Sequence, residues 1–90
     1  MVSFPLGKLV ATPGALAVLK RCSQSPAEIV AKHARGEWDG LDAYGAEANR
    51  AAIRDGGRVF GSFTTRAGDT LGVITEADRA STCLLLPAEY

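Results

Sequence analysis

At Gly56-Gly57 the periodicity of the chain changes, and this constrains the fold more than any other feature. Before it, apolar residues recur at helical spacing: Ala15, Val18, Leu19 and Cys22 fall at i, i+3, i+4 and i+7, one face of a helix. After it, residues 58–66 and 70–76 are rich in β-branched and aromatic side chains and read as strands, joined by a short turn at 67–69. A third run, residues 81–87, is almost continuously apolar. It reads as a strand buried on at least one face and ended by Pro87. Helices first and strands second predict an α+β domain, with about three N-terminal helices followed by a three-stranded antiparallel meander.

The helix boundaries carry their own signals. Residues 2–11 read as a short extended segment leading to Thr12-Pro13, a cap followed by proline at the first helical position. Ser25, Pro26 and Glu28 form the pattern of a capping box, and Ile29, Val30 and His33 share a face of the helix that follows, with Gly36 as its stop. Asp42 is the expected cap of a third helix ending at Asp55-Gly56-Gly57. There Tyr44, Ala48, Ala51 and Ala52 make a narrow face suited to close packing.

Ninety residues amount to one domain, spanning 1–90, with one modest core and little room for a deep pocket. A 47% hydrophobic fraction is enough to offset the entropy of ordering such a chain. Net charge is zero, so no general basic field attracts nucleic acid. The charges nevertheless alternate in blocks. Residues 1–35 are basic, 36–49 carry only Glu37, Asp39, Asp42 and Glu47, 50–66 are basic again, and 67–90 are acidic. Such segments either fold against one another or polarise a surface that selects a partner. No basic-then-apolar leader and no membrane-length apolar run occurs, so a cytoplasmic protein without membrane contact is the expectation. Cys22 and Cys83 lie in apolar surroundings with no CxxC, and read as small apolar side chains. No cofactor and no metal site are expected.

Glu76, Asp78 and Arg79 lie between two apolar runs. Paired carboxylates can divide acid and base roles, and an arginine can hold an anion. Ser81, Thr82 and Cys83 follow, but a nucleophile needs an activating base, and the single histidine, His33, lies on a helix face. The simpler reading is a polar turn between strands, with Asp78 bonding local amides. Trp38 and Tyr44 sit in the acidic stretch, as interface anchors or core cover. Arg50, Arg54, Arg58 and Arg66, near Phe60 and Phe63, are the candidate nucleic-acid contacts. The two phenylalanines have opposite strand parity, so at least one faces the core. Neither GxGxxG nor GxxxxGK[ST] is present.

Taken together, "TPGAL", "SPAE", "ARGEW", "LDAYGAEANRAAI", "GGRVFGSF" and the closing "ITEADRASTCLLLPAEY" resemble a group of small bacterial proteins of about this length, carried on plasmids and other mobile elements. Some are labelled plasmid-related, and some a type I restriction-modification subunit. The resemblance covers nearly the whole chain. It implies a mobile-element or host-defence context and no particular activity; no NPPY or DPPY motif of a DNA methyltransferase occurs.

Three readings follow. The first is a non-enzymatic interaction protein, such as an inhibitor of a defence system, which binds a host or element-encoded protein or itself through Trp38, Tyr44, Glu76, Asp78 and Arg79, with a homodimer through a sheet edge as one form. The second is a nucleic-acid-binding accessory protein using the four arginines. The third is a small enzyme using Glu76, Asp78 and His33, which requires them to converge.

Overall fold

Each helix start read from the sequence is capped as its side chains dictate. The computed structural model describes residues 4–38 and 40–89; Asp39 of the acidic stretch, Tyr90 of the closing motif and residues 1–3 lie outside it. Thr12 accepts from the Ala15 amide at 3.1 Å and starts α1, Pro13–Arg21. Ser25 accepts from the Glu28 amide at 3.2 Å and starts α2, Pro26–Arg35. The Glu28 carboxylate turns to Gln24 Nε2 at 2.8 Å, so the serine half of the capping box carries the start. Asp42 accepts from the Gly45 amide at 2.8 Å and starts α3, Ala43–Asp55. Gly36 and Gly56, at φ 79° and 85°, end α2 and α3 in the left-handed conformation that glycine adopts without strain.

The α+β class and the meander form as expected. Strands β2 (Val59–Thr64), β3 (Thr70–Thr75) and β4 (Ser81–Leu85) pair antiparallel in sequence order. The sheet itself has four strands rather than three, and is mixed rather than antiparallel. The N-terminal segment Lys8–Ala11 forms β1, which pairs in parallel with β4, giving the order β1-β4-β3-β2. Four residues between Gly7 and Thr12 offer no alternation to read, and their partner strand lies at the far end of the chain. The pairing needs Gly7: at φ 66° it runs so close to Arg79 and Ala80 that a side chain would collide with their carbonyls.

Strand parity then decides what is core. Val59, Phe63, Leu71, Val73 and Leu84 point to the helices and are buried against Val18, Leu19, Ile29 and Val30, with Phe4 and Trp38 closing the cluster. Phe60 points the other way, as the opposite parity of the two phenylalanines requires. A buried leucine or phenylalanine contributes about 1.5–3 kcal/mol, so this single layer holds most of the stability.

α3 turns differently from its expected face. Tyr44 is 85% exposed, and the helix instead packs Ala46, Ala52 and Ile53 on the core and buries Asn49. The reason is the sheet edge. The Asn49 amide donates to Phe60 O at 2.5 Å and accepts from Phe60 N at 3.0 Å, in the manner of a neighbouring strand. Gly40 N donates to Ser62 O at 2.8 Å beside it. One edge of the sheet is thereby covered, which blunts the exposed ladder that invites unwanted pairing. Among the described residues the other edge, β1, has a neighbour on one side only.

Candidate functional site

The polar residues at 76–79 form a tight turn. Arg79 N donates to Glu76 O at 2.9 Å, Glu76 N donates to Ser81 O at 3.1 Å, and Asp78 Oδ1 accepts from Ala80 N at 2.9 Å. Arg79 sits at φ 61°, which costs roughly 1–2 kcal/mol for a residue with a Cβ. Its guanidinium offsets this. Nη1 donates to Gly57 O at 2.6 Å and Glu76 O at 3.1 Å, Nη2 donates to Ala52 O at 3.2 Å, and the group lies 5.7 Å above the Phe4 ring. Arg79 thus ties the turn to the carbonyls at the C-terminal end of α3, where a cation is favoured. Glu76 differs from its neighbours: its carboxylate leaves the turn and meets Arg58 Nη2 at 3.2 Å.

Trp38 and Tyr44 separate. Trp38 is buried in the core, whereas Tyr44 stands in solvent at the start of α3. The four arginines also spread. Arg50 pairs with Glu47, Arg54 with Asp55, Arg58 with Glu76 and Arg66 with Glu28. Arg58 and Arg66 flank opposite ends of β2, about 25 Å apart along an extended strand.

His33 is fully buried on the helix side of the sheet, with edge-on contacts to the rings of Phe4, Trp38 and Phe63. Its hydrogen bonds fix its tautomer. Trp38 Nε1 can only donate, and lies 3.1 Å from His33 Nδ1, so Nδ1 is the acceptor and Nε2 carries the proton. Nε2 then donates to Thr75 Oγ1 at 3.0 Å. The far end agrees: Thr82 Oγ1 donates to Leu6 O at 2.7 Å, so Thr75 must be the donor in its 2.7 Å bond to Thr82. The result is a one-way chain from Trp38 through His33, Thr75 and Thr82 to Leu6. It joins α2, β3, β4 and the N-terminal segment, and among the described residues no buried side-chain polar atom lacks a partner. Burial in this aromatic shell pushes the imidazole down to about pKa 4. Gly61 makes the room: a Cβ there would lie 2.6 Å from His33 Nδ1 and 2.8 Å from Trp38. In the sequence Thr82 stands out only as a nominal nucleophile beside Ser81 and Cys83, and Thr75 not at all. Their alternation with Val73 and Leu84 on inward-facing positions is the signal that could have found them.

The opposite side of the sheet has a different character. Registered pairing aligns Val10, Cys83, Ile74 and Phe60 in one row across all four strands, outside the helix-side core. Beside it lies an open depression of about 540 Å³, floored by Phe60, Ile74 and Leu85 and rimmed by Arg58, Glu76 and Glu89. Desolvation first, then the carboxylates of Glu89 and Glu76, raises the Cys83 thiol, which keeps it protonated and weakly nucleophilic. Both cysteines are free thiols. Among the described residues no group of three or more His, Cys, Asp or Glu side chains could hold a metal ion, and no helix is long and apolar enough to cross a membrane. Glu76 and His33 lie on opposite sides of the sheet, and Asp78 is held in its turn; the arrangement suits contact with an apolar group under a charged rim. Compared with protein-family models, with curated proteins and with solved structures, the chain gives no match.

Proposed function

We propose that this chain is a non-enzymatic binding protein of a plasmid or other mobile element, which engages a host or element-encoded protein through the helix-free face of its sheet. The observation that carries the reading is the apolar row Val10-Cys83-Ile74-Phe60 and the adjoining depression. Alternate outward positions on a sheet normally go to polar side chains; an apolar row there, with a charged rim, has the layout of an interface. The rim carries Glu76 and Glu89 against Arg58 alone, so the matching partner surface presents an apolar side chain beside a basic one. The separation of His33, Glu76 and Asp78 further supports binding over catalysis. A component of a host defence system is the partner class that the mobile-element resemblance suggests.

The test is affinity capture with mass spectrometry from a bacterial host, using the wild-type chain and Ile74→Lys. A protein retained by the wild type and lost by the folded variant supports the reading. Recovery of nothing above background by the wild type overturns it.

A further inference from the structure

The geometry points to a homodimer formed by antiparallel pairing of β1 with β1 of a second copy, which joins two four-stranded sheets into one of eight strands. Lys8 N donates to Ala80 O and Thr12 N to Leu84 O, both toward β4. Backbone groups alternate sides along a strand, so those of Leu9 and Ala11 point away from the sheet, along its uncovered edge. The side chains there are unusually apolar. Of the four large hydrophobic residues that are exposed among the described residues, Leu9 (52%), Val10 (40%) and Leu16 (46%) gather at this edge. A groove of about 280 Å³ lined by Leu9, Ala11, Leu16, Pro26 and Val30 runs along its helix side.

A second copy of this chain is the occupant because one register satisfies every outward group with its own counterpart. With Val10 opposite Val10 on the two-fold axis, Leu9 faces Ala11 of the other copy, and each pair exchanges both backbone hydrogen bonds. The large Leu9 side chain then lies over the small Ala11, in the groove just described. On the helix-free side Lys8 comes opposite Thr12 of the second copy, whose hydroxyl donates to Glu89 Oε1 at 2.6 Å. Lys8 makes no ion pair within its own chain among the described residues, and this register brings it to that carboxylate. Shifting the register by one outward position sets Lys8 against Val10, or Leu9 against Pro13, and loses these matches. The helix-free faces of the two copies become one continuous surface, yet the dimer stands whether or not that surface takes a partner.

Sedimentation velocity of the full chain across a concentration series is expected to show a monomer–dimer equilibrium, and Leu9→Lys, at an already exposed position, is expected to shift it to monomer. A wild-type chain that stays monomeric at all concentrations overturns the proposal, as does a Leu9→Lys chain that dimerises undiminished. The register is read by Val10→Cys with Cys22→Ser and Cys83→Ser. The two introduced thiols would have Cα atoms about 4.5 Å apart, within the roughly 4.4–6.8 Å that a disulfide spans, so mild oxidation is expected to yield a covalent dimer. Ala11→Cys in the same background is expected to stay uncrosslinked. Crosslinking at Ala11 but not at Val10 overturns the register proposed. A monomer that captures a host protein refutes the dimer and leaves the binding reading standing; a dimer that captures none does the reverse.

Discussion

Acid should destabilise this protein through one buried ring. His33 titrates near pKa 4 in the native state and at 6.5 in the unfolded chain. Between those values the unfolded chain binds a proton that the native state refuses, so stability falls as pH falls. The full contribution is present above pH 6.5, and about 2 kcal/mol of it is gone by pH 5, tending to about 3 kcal/mol at pH 4. The structural cause is explicit. Protonation would place a hydrogen on Nδ1, facing the Trp38 N–H that now donates to it, and among the described residues no carboxylate bonds or flanks the ring. Against a total stability of roughly 5–15 kcal/mol for a domain of this kind, the loss is large. Urea unfolding followed by the single tryptophan, at steps from pH 7 to 4.5, measures it. The window stops there because Glu37 and Glu89, whose carboxyls are held below the usual range by Arg35 and Thr12, add their own loss of stability toward acid as the unfolded chain's carboxylates protonate. His33→Gln can accept from Trp38 and donate to Thr75 without titrating, so its stability should be nearly flat across the same window. A flat wild-type profile, or an equal slope in the variant, would refute the argument.

Substitutions at three positions probe the rest of the framework by chemical denaturation. Gly61→Ala pushes a methyl group against His33 and Trp38 and should cost about 1–3 kcal/mol, with a shift in Trp38 emission as its signature; an unchanged spectrum at wild-type stability would mean the ring pair is not held here. Asn49→Ala removes both bonds to Phe60 and should cost about 1–3 kcal/mol. Asn49→Asp should also destabilise, because it sets a carboxylate against the Phe60 carbonyl; wild-type stability in both would sink the edge-cover role. Arg79→Gly relieves the left-handed strain but loses the bonds to Ala52, Glu76 and Gly57, for a net loss of about 1–3 kcal/mol; a more stable variant would show that strain outweighs the clamp.

What the sequence discloses is what is decided locally. Thr12, Ser25 and Asp42 cap their own helices within three residues, and inward parity on β2 and β3 is visible over six residues each. What it conceals depends on partners that only folding brings close. β1 is four residues long and takes its order from β4 at the other end of the chain. Asn49 looks like one polar residue on an alanine-rich helix until the backbone of Phe60 stands beside it. The helix-face placement of His33 was legible, but not its bond to Thr75. Arg79 has the composition of a binding residue, and only the nearness of the α3 carbonyls shows how its donors are used.

Thr75, the last residue of β3, and Glu76 just after it show where binding can be added without disturbing the fold. Thr75 points inward, is fully buried, and is bonded on both sides by His33 and Thr82; any change there breaks a chain that spans four segments. One step on, Glu76 reaches the helix-free side, where its partner Arg58 is itself exposed and the pair is worth about 0–1 kcal/mol. Groups on the helix side are thus committed to stability, and those on the other side are held only weakly. Turn residues divide in the same way: Asp78 and Arg79 hold the turn and α3 together, while the Glu76 carboxylate remains on the rim of the depression. A partner drawing Glu76 away from Arg58 would sacrifice little internal stability, whereas one drawing on Arg79 would have to loosen the end of α3. Glu76→Gln should therefore weaken partner capture while leaving the unfolding midpoint nearly unchanged; a variant that unfolds early with capture intact would reverse the assignment.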